Sequence, residues 1–190
     1  MRIEGFGLRA TTLRGWDAEI YRRDAEVAGV SAPAGPNPVD PPGGAAPAGG
    51  EPAAGDVVRR PAGQLQGARS ETPTPILHLA NFPLPPVRGD YGGGAVELMG
   101  RGGIFIALLE HDAAEAASAL FRHSGIPWPL RERDFDPQQM QRTISGQAGC
   151  QRFFTHRDRA FCLYVVIGSY ALRSVLVPEV NAALATVELD

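Results

Sequence analysis

Two stretches, "GIFIALLE" (103–110) and "AFCLYVVIG" (160–168), are apolar with little or no interruption. Neither alternates apolar with polar residues, so neither reads as a strand with one wet face. A strand that is apolar on both sides belongs to a sheet whose two faces are both covered. Both runs are far shorter than the roughly 20 residues a helix needs to cross a bilayer, so no membrane span is expected. This pair of strands constrains the fold more than any other feature, because every other segment must help to bury them.

The remaining segments are read around them. In "FGLRATTLRGWDAEIYRR" (6–23) a first strand leads to a tight turn at Arg14-Gly15. A second strand follows, in which Trp16, Ala18 and Ile20 alternate with Asp17, Glu19 and Tyr21. "PILHLANF" (75–82) reads as a further strand bounded by prolines. "DAAEAASALFRHSG" (112–125) carries a capping-box pattern, Asp112 with Glu115, ahead of a stripe of Ala113, Ala116, Ala117, Leu120 and Phe121, and predicts a helix. Asp136-Pro137 predicts a short helix over 136–142. In "QAGCQRFFTHRDRAFCLYVV" (147–166) two strands are joined near His156–Arg159. A two-residue turn at Arg157-Asp158 sets Cys162 opposite Phe153 and Cys150 opposite Val165. "VPEVNAALATVEL" (177–189) predicts a closing helix with Val180, Ala183, Leu184 and Val187 on one face and Pro178 in the first turn. The expected class is α+β, with a mostly antiparallel central sheet of about six strands covered by helices on both faces.

Residues 28–74 interrupt this plan. They hold nine prolines and nine glycines and few large apolar side chains, a composition expected of a disordered insertion. The folded domain is then 1–27 plus 75–190, enough chain to bury a core without staples. The 190-residue chain has a net charge of −3 and contains no lysine, its 18 basic residues all being arginine. That excludes Schiff-base chemistry, a lysine base and the lysine of a phosphate-binding P-loop. Two cysteines are too few for a disulfide framework. The N-terminal stretch has no apolar core of the kind a secretion signal carries, and a cytoplasmic protein is expected.

The opening strand, the "RGW" that leads into a charged strand, the "GIFIALLE" strand with a helix after it, the late hairpin and the final amphipathic helix together resemble the PsbP-like domains. Those are small α-β-α sandwiches with an antiparallel sheet, found as accessory subunits and lipoproteins. The resemblance implies an accessory or binding role. It supplies no catalytic motif to match, so no functional residue is carried over. Unlike the lipoprotein members, this chain shows no lipid-acceptor cysteine near its start.

The glycine-rich segment "PPVRGDYGGGAVELMGRGG" (85–103) is the first candidate site. Gly89 to Gly94 has the P-loop interval, but Ala95 and Val96 stand where Lys and Ser/Thr belong. The dinucleotide spacing G-x-G-x-x-G is not met either. The segment reads as a connection in which glycines permit positive φ, or as a ligand-contacting loop with Arg88, Asp90 and Arg101 as its polar contacts.

Cys150, His156 and Cys162 invite a metal or nucleophile reading. The twelve-residue separation of the thiols does not suit zinc, and His156 with Asp158 lies beyond reach of Cys150 on an extended strand. The register above turns the two thiols to opposite faces of the sheet. His78 reads as a hydrogen-bonded core residue. Seven arginines between Phe121 and Ala160 lie among phenylalanines, a pattern also found where single-stranded nucleic acid stacks, but it fits an ion-paired hairpin end better, and nucleic acid is not expected as a partner. No catalytic residue, metal site or cofactor is expected. The functional reading is a non-catalytic accessory or interaction module with a protein partner. The alternatives are a small-molecule binding protein that uses the 85–103 loop, and a thiol-dependent enzyme built on Cys150 or Cys162.

Overall fold

The computed structural model describes residues 1–22 and 73–190. The stretch expected as a disordered insertion lies outside the described residues, apart from positions 73 and 74. The strands are β1 (Arg2–Gly5), β2 (Leu8–Thr11), β3 (Asp17–Arg22), β4 (Pro75–Ala80), β5 (Ile104–Glu110), β6 (Ala148–His156), β7 (Arg159–Ile167) and β8 (Val187–Leu189). Among the described residues there is a single α-helix, α1 (Arg173–Leu184).

The strands form two sheets, in the orders β3-β4-β5-β7-β6 and β1-β2-β8, and every pairing is antiparallel. β4, β5 and β7 are the interior strands of the larger sheet, and apart from Glu110 and Arg159 at their ends all their residues are buried. Side-chain alternation divides that sheet into two apolar clusters. Leu77, Leu79, Ile104, Ile106, Leu108, Phe161, Leu163, Val165 and Ile167 pack with Leu8, Ala10 and Val187 of the smaller sheet and with Leu176, Val177, Val180, Ala183 and Leu184 of α1. On the other face Ile76, Ala80, Phe105, Ala107, Leu109, Tyr164 and Val166 pack against Ala95, Val96 and Met99 of the glycine segment, with Leu84 and Tyr91 beside them.

The expectation of one six-stranded sheet with helices on both faces is therefore corrected. One face is covered by a three-stranded sheet and α1, the other by loop. Unbroken apolar strands demand cover on both sides, but any apolar side chains excluding water satisfy that demand. Glycine makes a loop serviceable here. Gly92 has φ +81°, and a Cβ on it would lie 2.4 Å from the Phe105 ring, so only glycine lets the backbone lie flat on the sheet.

The expected helix over 112–125 is replaced by two 3₁₀ turns, Ala113–Ala117 and Ala119–Phe121, separated by an extended Ser118. Asp112 does cap the first turn, accepting from the Ala114 N–H at 2.8 Å. The alanine stripe carries too little apolar bulk to hold a helix on the sheet, and of its residues Phe121 alone is buried. Phe121 packs against His111 and Phe153, and the chain then runs along the edge of β6. There the Thr155 N–H donates to the His123 carbonyl at 2.7 Å, and the Gly125 N–H to that of Thr155 at 2.7 Å. The helix expected over 136–142 is a 3₁₀ turn at Pro137–Gln139, because Asp136 pairs through its backbone with Gly149 and blocks that same edge.

The hairpin has the register read from its turn: Phe153 faces Cys162 and Cys150 faces Val165. Arg157 and Asp158 both have positive φ, 48° and 62°. The closing helix begins at Arg173, so Pro178 lies within it rather than in its first turn, and Val187 belongs to β8.

Candidate functional site

The glycine segment is held to the sheet by a polar network centred on His78. β3 pairs with β4 so that Glu19 lies directly across from His78. His78 is fully buried, with Tyr21 and Phe105 packed edge-on against its ring at centroid distances of 5.2 and 4.9 Å. Arg88 donates through Nε to His78 Nδ1 at 2.8 Å and through a terminal nitrogen to the Pro85 carbonyl at 2.8 Å, and it is ion-paired with Glu19. A guanidinium is always a donor, so Nδ1 is the acceptor and the proton resides on Nε2. Nε2–H then donates to the Asp90 carbonyl at 2.8 Å. The Tyr21 hydroxyl lies 3.3 Å from the Asp90 carboxylate. Burial is the main cause that pushes His78 down to about 4, with the Arg88 charge acting in the same direction. Burial likewise raises Tyr21 above the usual phenol range.

Arg88 and Asp90, singled out from the sequence as ligand contacts, are thus brought together, and their polar groups engage the protein itself. The Arg88 side chain is only 5% exposed. Arg101, the third, is elsewhere. It lines an open cleft of about 390 Å³ with Ser145, Gly146, Gly168, Ser169, Tyr170 and Ala171. Three chain segments meet there. The Gly168 N–H donates to the Gly103 carbonyl at 2.8 Å, and the Tyr170 N–H to that of Gly146 at 2.7 Å. A Cβ on Gly168 would lie 2.0 Å from the Gly100 carbonyl oxygen, so the end of β7 and the glycine segment are in direct backbone contact. Ser145, Ser169 and Tyr170 carry no recognisable motif and were not legible as site residues. The only signal for them is the pair of short Ser/Gly breaks, "SGQ" and "GSY", that flank the two strands of the hairpin.

The thiols are separated as the register requires. Cys150 belongs to the cluster facing α1, Cys162 to the cluster under the glycine segment, and both are free and buried. Burial pushes Cys150 up to about 11, more than nearby Arg152 offsets. It raises Cys162 too, against a hydrogen bond from Gln151 Nε2 at 3.3 Å. A thiol raised in this way is a poor source of thiolate. Two of the hairpin arginines are ion-paired, Arg152 with Asp134 at 2.9 Å and Arg159 with Glu110 at 2.7 Å. Among the described residues no three His, Cys, Asp or Glu side chains group as metal ligands, and no helix is long and apolar enough to cross a membrane.

A scan against protein-family models, a search of curated proteins and a search of solved structures each returned no match to this chain.

Proposed function

We propose that this protein is a non-catalytic interaction module that docks a partner protein on the outer face of α1. One observation carries the reading. Val175, Pro178 and Ala182 of α1, continued by Ala171 in the turn before it and Ala185 at its end, follow one another at three- and four-residue intervals and are all exposed, whereas the helix's buried residues are Leu176, Val177, Val180, Ala183 and Leu184. Leu172 and Trp128 stand beside this stripe, with the Trp128 indole N–H donating to the Asn181 carbonyl at 3.1 Å. Val175 is 59% exposed, Trp128 54% and Leu172 37%. A surface helix normally turns charged residues outward, and one that is apolar all round is normally covered. The charged residues of α1 are only Glu179 and Arg173, the latter paired with Glu132. The surface suits a partner whose own contact is apolar and uncharged, with aromatic Trp128 as the anchor.

The test is site-specific photo-cross-linking from position 175 in host cells, with Arg14 as an exposed control position, followed by reconstitution with the purified cross-linked protein. The expected result is one predominant adduct from position 175, either a second copy or another protein, whose binding in purified form weakens at least about tenfold on Val175→Arg. Equal, diffuse labelling from both positions overturns the proposal.

A further inference from the structure

The cleft at the end of the glycine segment adjoins the α1 face, sharing Ala171 with it, but has a different chemical character. Its lining residues include one charged side chain, Arg101, and no carboxylate. Arg101 is exposed, and among the described residues no acid or carbonyl engages its guanidinium. Ser169 is only 4% exposed, yet it lines the cleft, and its hydroxyl makes no capping bond to the turn that follows it. The hydroxyl oxygen itself is not sealed from solvent, and among the described residues no partner engages it, so it is open to whatever occupies the cleft. Ser145 adds a second hydroxyl from another chain segment. The Arg173 guanidinium stacks 4.4 Å from the centre of the Tyr170 ring and donates to the Tyr170 carbonyl at 3.0 Å, which holds that ring at the edge of the cleft, while its charge is paired with Glu132.

We infer that this cleft binds a small organic phosphate monoester. A carboxylate presents two coplanar oxygens, both of which one guanidinium can engage. A phosphate monoester presents three terminal oxygens, and it matches a guanidinium together with two hydroxyls placed on separate segments. The Tyr170 ring, Ala171 and the two glycines give the rest of the cleft an apolar wall. A volume of about 390 Å³ leaves room for an organic body beyond the phosphate itself. The backbone of the cleft is already assembled, since the carbonyls of Gly103 and Gly146 hold the end of β7 in place, and the ordering left to binding is that of side chains such as Arg101.

The experiment is a titration of the full chain, followed by amide NMR shifts and calorimetry, with phenyl phosphate as probe and inorganic phosphate and benzoate as comparators. The expected result is saturable shifts at residues 101, 145–146 and 168–171. Phenyl phosphate should bind at least about tenfold more tightly than either comparator. Arg101→Ala and Ser169→Ala should each weaken it by about tenfold or more, with the remaining spectrum unchanged. Arg101→Lys keeps the charge but loses the fork and should recover only part of the affinity. Absence of saturable shifts, or shifts indifferent to Arg101→Ala, overturns the site. Benzoate binding as tightly as phenyl phosphate overturns the phosphate assignment, and inorganic phosphate doing so overturns the organic body.

Discussion

Protonating His78 should release the glycine segment from the sheet, and the cost can be worked from the network around it. In the folded chain His78 ionises at about 4 against an ordinary 6.5. A base whose folded pKa is depressed contributes its full stability above the unfolded pKa, because only there are both states neutral. As pH falls below 6.5 the unfolded chain takes up the proton and the folded one does not, so stability drops until about pH 4 and is then level. At 1.36 kcal/mol per pH unit the whole interval is worth about 3.4 kcal/mol, of which about 2 kcal/mol is lost between pH 8 and pH 5. Arg88, Asp90, Glu19 and Tyr21 are the titratable groups facing the ring. His78→Gln keeps an acceptor for Arg88 and a donor for Asp90 but does not titrate in this range. Urea unfolding at the two pH values should show the wild-type chain losing about 2 kcal/mol more than the variant. A His78 ring proton that titrates near 6.5 in the folded protein, or the same pH slope in both chains, would refute the reasoning.

Three further outcomes follow from positions already described. Gly92→Ala places a methyl in the Phe105 ring at a residue with φ +81° and should lower stability by about 2–4 kcal/mol, read from the urea midpoint. Arg157→Asn with Asp158→Gly puts the residues preferred for two positive-φ positions into the hairpin turn and should raise stability by about 1 kcal/mol, seen as a higher melting temperature. Both thiols should resist a disulfide reagent at pH 8 in the folded chain and react at once in denaturant. Rapid labelling of either in the native state would contradict the burial and raised pKa described for them.

What could be read in advance divides along a physical line. The hairpin register followed from the turn, since a two-residue turn at Arg157-Asp158 fixes which residues of β6 and β7 face each other. The interior strands announced themselves because burial on both sides leaves few polar positions, His78 of β4 being one. The short strands β1 and β8 did not. β2 pairs with β8 across nearly the whole chain, with Leu8 opposite Leu189, and a three-residue strand such as Val187–Leu189 has no period long enough to recognise. Those residues extended the pattern of α1 and were absorbed into it. The alanine stripe over 112–125 misled for the opposite reason. Its spacing was helical, but spacing says which side chains share a face and not whether that face is worth burying.

The site divides in the same way. Arg88 and Asp90 were visible as polar residues in a glycine-rich loop, a setting that suits ligand contact and anchoring equally. The deciding partner, His78, lies on a strand, and its own cross-strand neighbour Glu19 belongs to a segment separated from it by residues 23–72. Only the pairing of β3 with β4 brings that carboxylate within reach of Arg88. Once it is there, the guanidinium is bound on three sides, by His78, Glu19 and the Pro85 carbonyl. Arg101 has the same chemistry and lies thirteen residues on, but among the described residues it has no such neighbours. The two arginines therefore differ in what the strand pairings place beside each of them. A cation with a partner within the fold at each of its three nitrogens serves stability, and one that lines a cleft with no partner among the described residues is where a ligand should be sought.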